Sequence, residues 1–243
     1  MRRYLAVTTM VLLVAISVLP AVSGAGQWPP NLERILFIHQ KSPLRWRRPP
    51  PREDGYYKLL GVKWRSFPVS IDVNPANPSG LGSSTVLTTI TVSAEEWDNG
   101  AYSNWGGVTP NLFQVRTTFS TKTYDDLAWT NRKRDGSNTL VWGNYPTSGV
   151  IAVTILWINP LTKTIVEFDM VLDTDYAWTI SGEIGKMDLQ NIATHELGHG
   201  AGLGDVAQNA ACLETMYGYS TLGEIIKRDL YTGDKLGITT SYG

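Results

Sequence analysis

Residues 195–205 read His-Glu-Leu-Gly-His-Gly-Ala-Gly-Leu-Gly-Asp, and their types and spacing suit metal chemistry. Two histidines four apart on a helix share one face, with Cβ atoms about 5–6 Å apart. Imidazole nitrogens so placed can reach one zinc ion at about 2.0–2.1 Å. Glu196, beside the first histidine, can then face a metal-bound water as general base. Gly202 allows a sharp turn after the helix, because glycine accepts positive φ without a steric penalty. That turn would return Asp205 as a third, oxygen ligand. The pattern therefore predicts a metal-dependent hydrolase centre built from His195, Glu196, His199 and Asp205. Two of the chain's three histidines lie in it; the third, His39, reads as a surface residue.

The elements that must hold this motif are legible as hydrophobic patterns. Val69, Ile71 and Val73 alternate as a first strand, and Asn74 to Gly80 form a loop after it. Val86, Leu87, Ile90, Ala94 and Trp97 fit one face of a helix, with Ser83 or Ser84 near its start. Its β-branched residues work against that reading on propensity alone. Strands follow at about 112–118, 139–145, 150–158 and 165–172, with Asp135–Gly136 and Asn159–Pro160 as turn signals. Asp188 or a residue just before it should cap the motif helix, whose buried face would be Leu189, Ile192, Ala193 and Leu197. A final amphipathic stretch is expected from Thr221 to about Leu230 or beyond.

The chain has 243 residues and a formal net charge of −1, so composition offers no case for nucleic-acid binding. Arg2 and Arg3 precede an apolar run ending at Pro20, followed by small residues: the form of a secretory signal over residues 1–24. The chain is then secreted, or anchored to a membrane if that segment stays uncleaved. Residues 25–56 are rich in proline and arginine and read as a short propeptide or linker, in which Leu32 to Ile38 could form a helical turn or strand. Cys212 is the single cysteine, so no internal disulfide framework exists. A small buried role suits it better than metal ligation.

With these residues in view, the motif resembles the signature of the metzincin zinc endopeptidases, His-Glu-x-x-His-x-x-Gly-x-x-His/Asp. Glu214-Thr215-Met216-Tyr217-Gly218 resembles the methionine turn those enzymes place beneath the metal. Leu60 to Trp64, Glu96–Trp97, Asp135 to Thr139, Asp188 to Thr194 and Gly233 to Ile238 are similar, in order, to segments of the matrixin-like group, especially its microbial members. The resemblance implies an α+β zincin fold over residues 57–243. It comprises a twisted, mixed sheet of about five strands, an active-site helix and a C-terminal helix. It also implies a monomeric zinc endopeptidase with His195, His199 and Asp205 on one catalytic zinc ion and Glu196 as base. The substrate, a polypeptide, would lie extended beside an edge strand near 150–158, and residues 217–222 would wall the main pocket.

Structural calcium fits the resemblance, but Asp125, Asp126, Asp135, Asp173 and Asp175 form no site pattern. Three features depart from the animal matrixins: Asp205 stands where they use histidine, as in the snapalysin-like group, Gly218 stands where they often have proline, and no cysteine precedes Cys212 to cap the metal. Glu53 or Asp54 offers a carboxylate for that capping role, the alternative being a solvated acidic turn. The competing readings of the whole chain are a secreted zinc-binding module without proteolytic activity and an adhesion domain; the second leaves the motif unexplained.

Overall fold

The computed structural model describes residues 32–42, 55–101, 111–127, 134–207 and 211–243. The signal segment, Arg45 to Arg48, and Glu53 and Asp54 lie outside the described residues.

Nine strands and three helices follow one another as β1 (Glu33–Lys41), β2 (Val69–Val73), α1 (Ser83–Ala101), β3 (Phe113–Phe119), β4 (Asn138–Gly143), β5 (Val150–Asn159), β6 (Thr164–Asp173), β7 (Trp178–Thr179), β8 (Met187–Asp188), α2 (Leu189–Gly200), β9 (Tyr219–Ser220) and α3 (Thr232–Tyr242) among the described residues. The main sheet runs β3-β2-β4-β6-β5-β1-β9. Strands β3, β2, β4 and β6 are parallel, and β5 returns antiparallel to β6 through the Asn159–Lys163 hairpin. The expected sheet of about five strands is thus β2 to β6. The structure adds β1 and β9 on the far side of β5, making seven.

Strand β5 is buried along nine of its ten residues, as a strand covered on both faces should be. Pleating sends Ala152, Leu156 and Ile158 into the core shared with the helices, and Val153, Ile155 and Trp157 into a second cluster with Val141 and Val171. Thr154 shares the helix-facing parity. In β1 the same alternation puts Ile35 and Phe37 on the helix side and Leu36 and Ile38 on the other.

Helix α1 tolerates its β-branched residues because Thr89, Thr91 and Ser93 return their hydroxyls to the carbonyls of Thr85, Leu87 and Thr89. Val86, Ile90, Ala94 and Trp97 face the core, and the Trp97 indole donates to Thr194 O of α2 at 2.8 Å. Asp188 caps α2 by accepting from Asn191 N at 3.0 Å, and Arg228 anchors Asp188 in turn. At the other end of α2, Trp64 Nε1 donates to Gly200 O and Tyr242 Oη to Ala201 O. These two side chains occupy carbonyls that a helix C-terminus leaves without intrahelical partners.

The last helix starts at Thr232, not within 221–230 as expected. The apolar spacing there is misleading. Glu224 folds back onto Thr221 N at 3.0 Å, and Lys227 turns inward to Tyr219 O, so this stretch closes as turns and a short 3-10 segment, Ile226–Arg228.

Candidate metal centre

Helix α2 is buried at eleven of its twelve positions. His195 and His199 project from one face, with their rings 4.8 Å apart and perpendicular. Each ring is fixed through Nδ1: that of His195 bonds Thr215 O at 2.7 Å, and that of His199 bonds Leu203 O at 2.9 Å. A carbonyl can only accept, so Nδ1 carries the proton and Nε2 presents a lone pair. Burial pushes His199 down to about 4, opposed by Asp205, so this imidazole is neutral near pH 7.

The helix ends in a Schellman turn. Gly202 N donates to His199 O and Leu203 N to Gly198 O, with Gly202 at φ +93°. Segment 58–60 clamps this turn through Leu60 N to Gly202 O and Gly204 N to Lys58 O. The chain then brings Asp205 Oδ1 to 3.3 Å from His195 Nε2 and 3.5 Å from His199 Nε2. Burial pushes Asp205 up, but His199 and His195 outweigh it and hold the carboxyl at about 2.

The three facing atoms, His195 Nε2, His199 Nε2 and Asp205 Oδ1, are buried without a hydrogen-bond partner. Three lone pairs pointed at one another repel unless a cation lies between them. Ligands about 2.0–2.1 Å from a tetrahedral zinc ion stand about 3.3–3.4 Å apart, close to the observed spacing. The residues fit a small tetrahedral cation, and they are one of two groupings of metal-binding type among the described residues.

Below the histidines, Glu214–Gly218 forms the expected turn with Met216 fully buried. Gly198 of α2 leaves room for it: a Cβ there would collide with Met216 Sδ and the Trp97 ring. Asp234 holds the turn by accepting from Thr215 N, Met216 N and Tyr231 N. Gly218 has a local reason as well. Its N–H donates to Val206 O at 3.2 Å, tying the turn to the residue after Asp205; proline has no such hydrogen. Cys212 is buried and free, in the small packing role expected.

Glu196 is fully buried, and burial lifts it to about 7 against the pull of His195 and the Thr154 hydroxyl. Thr154 Oγ1 of β5 donates to Oε2 at 2.5 Å. The other oxygen, Oε1, meets His39 Nδ1 at 3.1 Å. His39 was expected at the surface, and the structure corrects this: it is fully buried. Its ring packs on His195 at 3.9 Å, and Phe37 stacks on His199 at 4.0 Å with the planes 12° apart. Burial, with His195, Lys227 and His199 nearby, holds His39 well below its ordinary value. His39, Glu196 and His195 form the second grouping of metal-binding type. Lys227, also fully buried, completes this corner. Sequence reasoning missed His39, Thr154, Asp234 and Lys227. Thr154 had a signal, being a hydroxyl on the core-facing parity of an otherwise apolar strand.

A helix whose glycine turn returns a carboxylate to its own two histidines, above a buried methionine turn, is the arrangement of the metzincin zinc peptidases, and the sheet beside it completes their α+β fold. Comparison with known proteins narrows the class. The matrixin family profile matches residues 100–243. Over 150 residues the chain is 29% identical to metalloendoproteinase 2-MMP of Arabidopsis thaliana, covering 59% of this chain and 35% of that protein. This chain belongs to the matrixin family. It spans about a third of the length of the plant relative.

Proposed function

We propose that this chain is an exported zinc-dependent endopeptidase in which His195, His199 and Asp205 hold the ion and Glu196 is the general base. The observation that carries the reading is the convergence of three buried, unpartnered donor atoms beside a buried carboxylate. Zinc, when bound, supplies Lewis-acid activation of the scissile carbonyl and acidifies the water beside it. Glu196 takes the proton of the attacking water and later delivers it to the leaving nitrogen. Thr154 fixes one carboxylate oxygen so that the other can make that transfer. Asp205 as third ligand brings negative charge where animal matrixins place a neutral imidazole.

The substrate is a polypeptide bound in extended form along β5, through backbone hydrogen bonds to its edge. Residues 217–222 wall the main pocket. Export rests on the Arg2–Arg3 start, the apolar run and the small residues after Pro20, with a membrane-anchored form if the segment is retained. The protein acts as a monomer. A zinc-binding module without proteolysis is the alternative. The Thr154 to Glu196 bond argues against it, because a purely structural site has no use for an oriented base beside open coordination.

The test is zinc content together with casein cleavage by the full chain. Wild type should bind zinc stoichiometrically and cleave casein in a chelator-sensitive way. His195→Ala and Asp205→Ala should lose zinc, whereas Glu196→Ala should keep zinc and lose cleavage. Cleavage retained by Glu196→Ala, or zinc retained at full affinity by Asp205→Ala, would sink the assignment.

A further inference from the structure

Lys227 is fully buried beside the metal centre, and the hydrolysis described above makes no use of it. Its backbone N–H donates to Asn191 Oδ1 of α2 at 2.8 Å, which ties it to the metal helix. Its side chain reaches the 217–222 wall. There Nζ donates to Tyr219 O at 2.5 Å and to Ser220 Oγ at 2.6 Å, and lies 5.8 Å from the centre of the Tyr217 ring. Glu224 Oε1 stands 3.4 Å from Nζ but already receives Ser220 Oγ and Asn191 Nδ2. Burial lowers the ammonium from its ordinary value, and Glu224 opposes that.

An ammonium has three hydrogens to place. Tyr219 and Ser220 take two, and the third is free to meet His39 Nε2, 3.4 Å away. The His39 ring lies 3.9 Å from that of His195, with Nδ1 against Glu196 Oε1. The space between Lys227 and the metal side therefore has the size of one imidazole. Because it borders Glu196, which hands the proton to the leaving nitrogen, it suits the side chain of the residue carrying that nitrogen. An aliphatic side chain there would leave a buried N–H of the ammonium without a full acceptor. A carboxylate would face Glu224 and Glu196, whose charges already offset that of Lys227. A carboxamide oxygen accepts from Nζ and adds no charge.

We infer that Lys227 is a specificity-determining residue, and that it makes the pocket select glutamine on the residue that carries the leaving nitrogen. This rests on the endopeptidase reading above and names the substrate class within it. Glu224 sets the second half of the preference, carboxamide over carboxylate.

The experiment uses the zinc-loaded full chain and quenched fluorescent peptides that differ only at that residue: glutamine, leucine or glutamate. The kcat/KM for glutamine should exceed that for leucine at least about tenfold, since a site built around a hydrogen bond rejects a side chain that cannot make it. Glutamate should fall below glutamine. His39 competes with all three peptides alike, so its effect cancels in the ratios. In Lys227→Met the leucine peptide should be cut at least as well as the glutamine peptide, with zinc content unchanged. Glu224→Gln leaves Lys227 in place and should move the glutamate-to-glutamine ratio at least about tenfold toward glutamate. That variant decides the assignment if Lys227→Met fails to fold. Two peptide hydroxamates, which bind through the metal and bear the glutamine or leucine side chain, measure the same preference by calorimetry without cleavage.

Peptides cut with no preference for glutamine over leucine, a preference that survives Lys227→Met, or unchanged ratios in Glu224→Gln would overturn the inference and leave the endopeptidase reading intact. Hydroxamates that discriminate as expected while no peptide is cut would support the pocket assignment and sink the endopeptidase reading.

Discussion

Replacing Gly202 by alanine should damage the metal site from outside it. At φ +93° an alanine costs about 1–2 kcal/mol from its Cβ and carbonyl contacts alone. The new Cβ would also lie 2.5 Å from Val62 O, a backbone atom that cannot swing aside. Overpacking of this kind adds about 1–3 kcal/mol. The sum, about 2–5 kcal/mol, corresponds to about 4–20 °C in Tm for a domain of this size. Gly80→Ala is the internal control. Its φ is +69°, but no heavy atom lies within 4 Å of the added Cβ, so only the conformational cost of about 1–2 kcal/mol applies. The two variants should differ further in zinc binding. Any shift of the Gly202 turn moves Leu203 O away from His199 Nδ1 and changes the approach of Asp205. Loss of such a supporting bond costs about 10–100-fold in metal affinity. Thermal melts with and without zinc, plus competition against a chelator of known affinity, measure both effects. If Gly202→Ala matches Gly80→Ala in melting temperature and zinc affinity, the turn does not set the site and the reasoning fails.

Two further substitutions probe the proposed base and a buried carboxyl. Thr154→Val keeps the shape of β5 but removes the hydroxyl from Glu196; we expect kcat to fall about 10–100-fold with zinc content unchanged, and a wild-type kcat would remove Thr154 from the site. Asp98 is raised to about 6 by burial, although Leu112 N and Phe113 N both donate to it. The unfolded chain therefore releases this proton near pH 4 while the folded chain holds it to about 6, and stability falls through that window by up to about 3 kcal/mol. Asp98→Asn should melt above wild type at pH 7 and by clearly less at pH 4; an equal difference at both values would refute this.

The candidate metal site was legible because its residues are local in sequence. Eleven consecutive residues carry the histidine pair, Glu196 and the glycine turn, and helical geometry does the rest. The methionine turn could be read for the same reason, as a short motif at a suitable distance. The five central strands were legible from the alternation of Val69, Ile71 and Val73 in β2 and, in the others, from short runs set off by turn signals, β5 being apolar on both of its faces. The C-terminal helix was misplaced because Thr221–Leu230 has apolar residues at helical spacing, yet its polar side chains satisfy the backbone locally. Glu224 caps Thr221, and Lys227 is drawn inside.

His39 could not be read from its neighbours, because its burial comes from partners far along the chain. Glu196 is 157 residues away and Lys227 is 188. The segment Leu32 to Ile38 reads equally as a helical turn or a strand, and the choice of strand is made by β5, a pairing partner far along the chain.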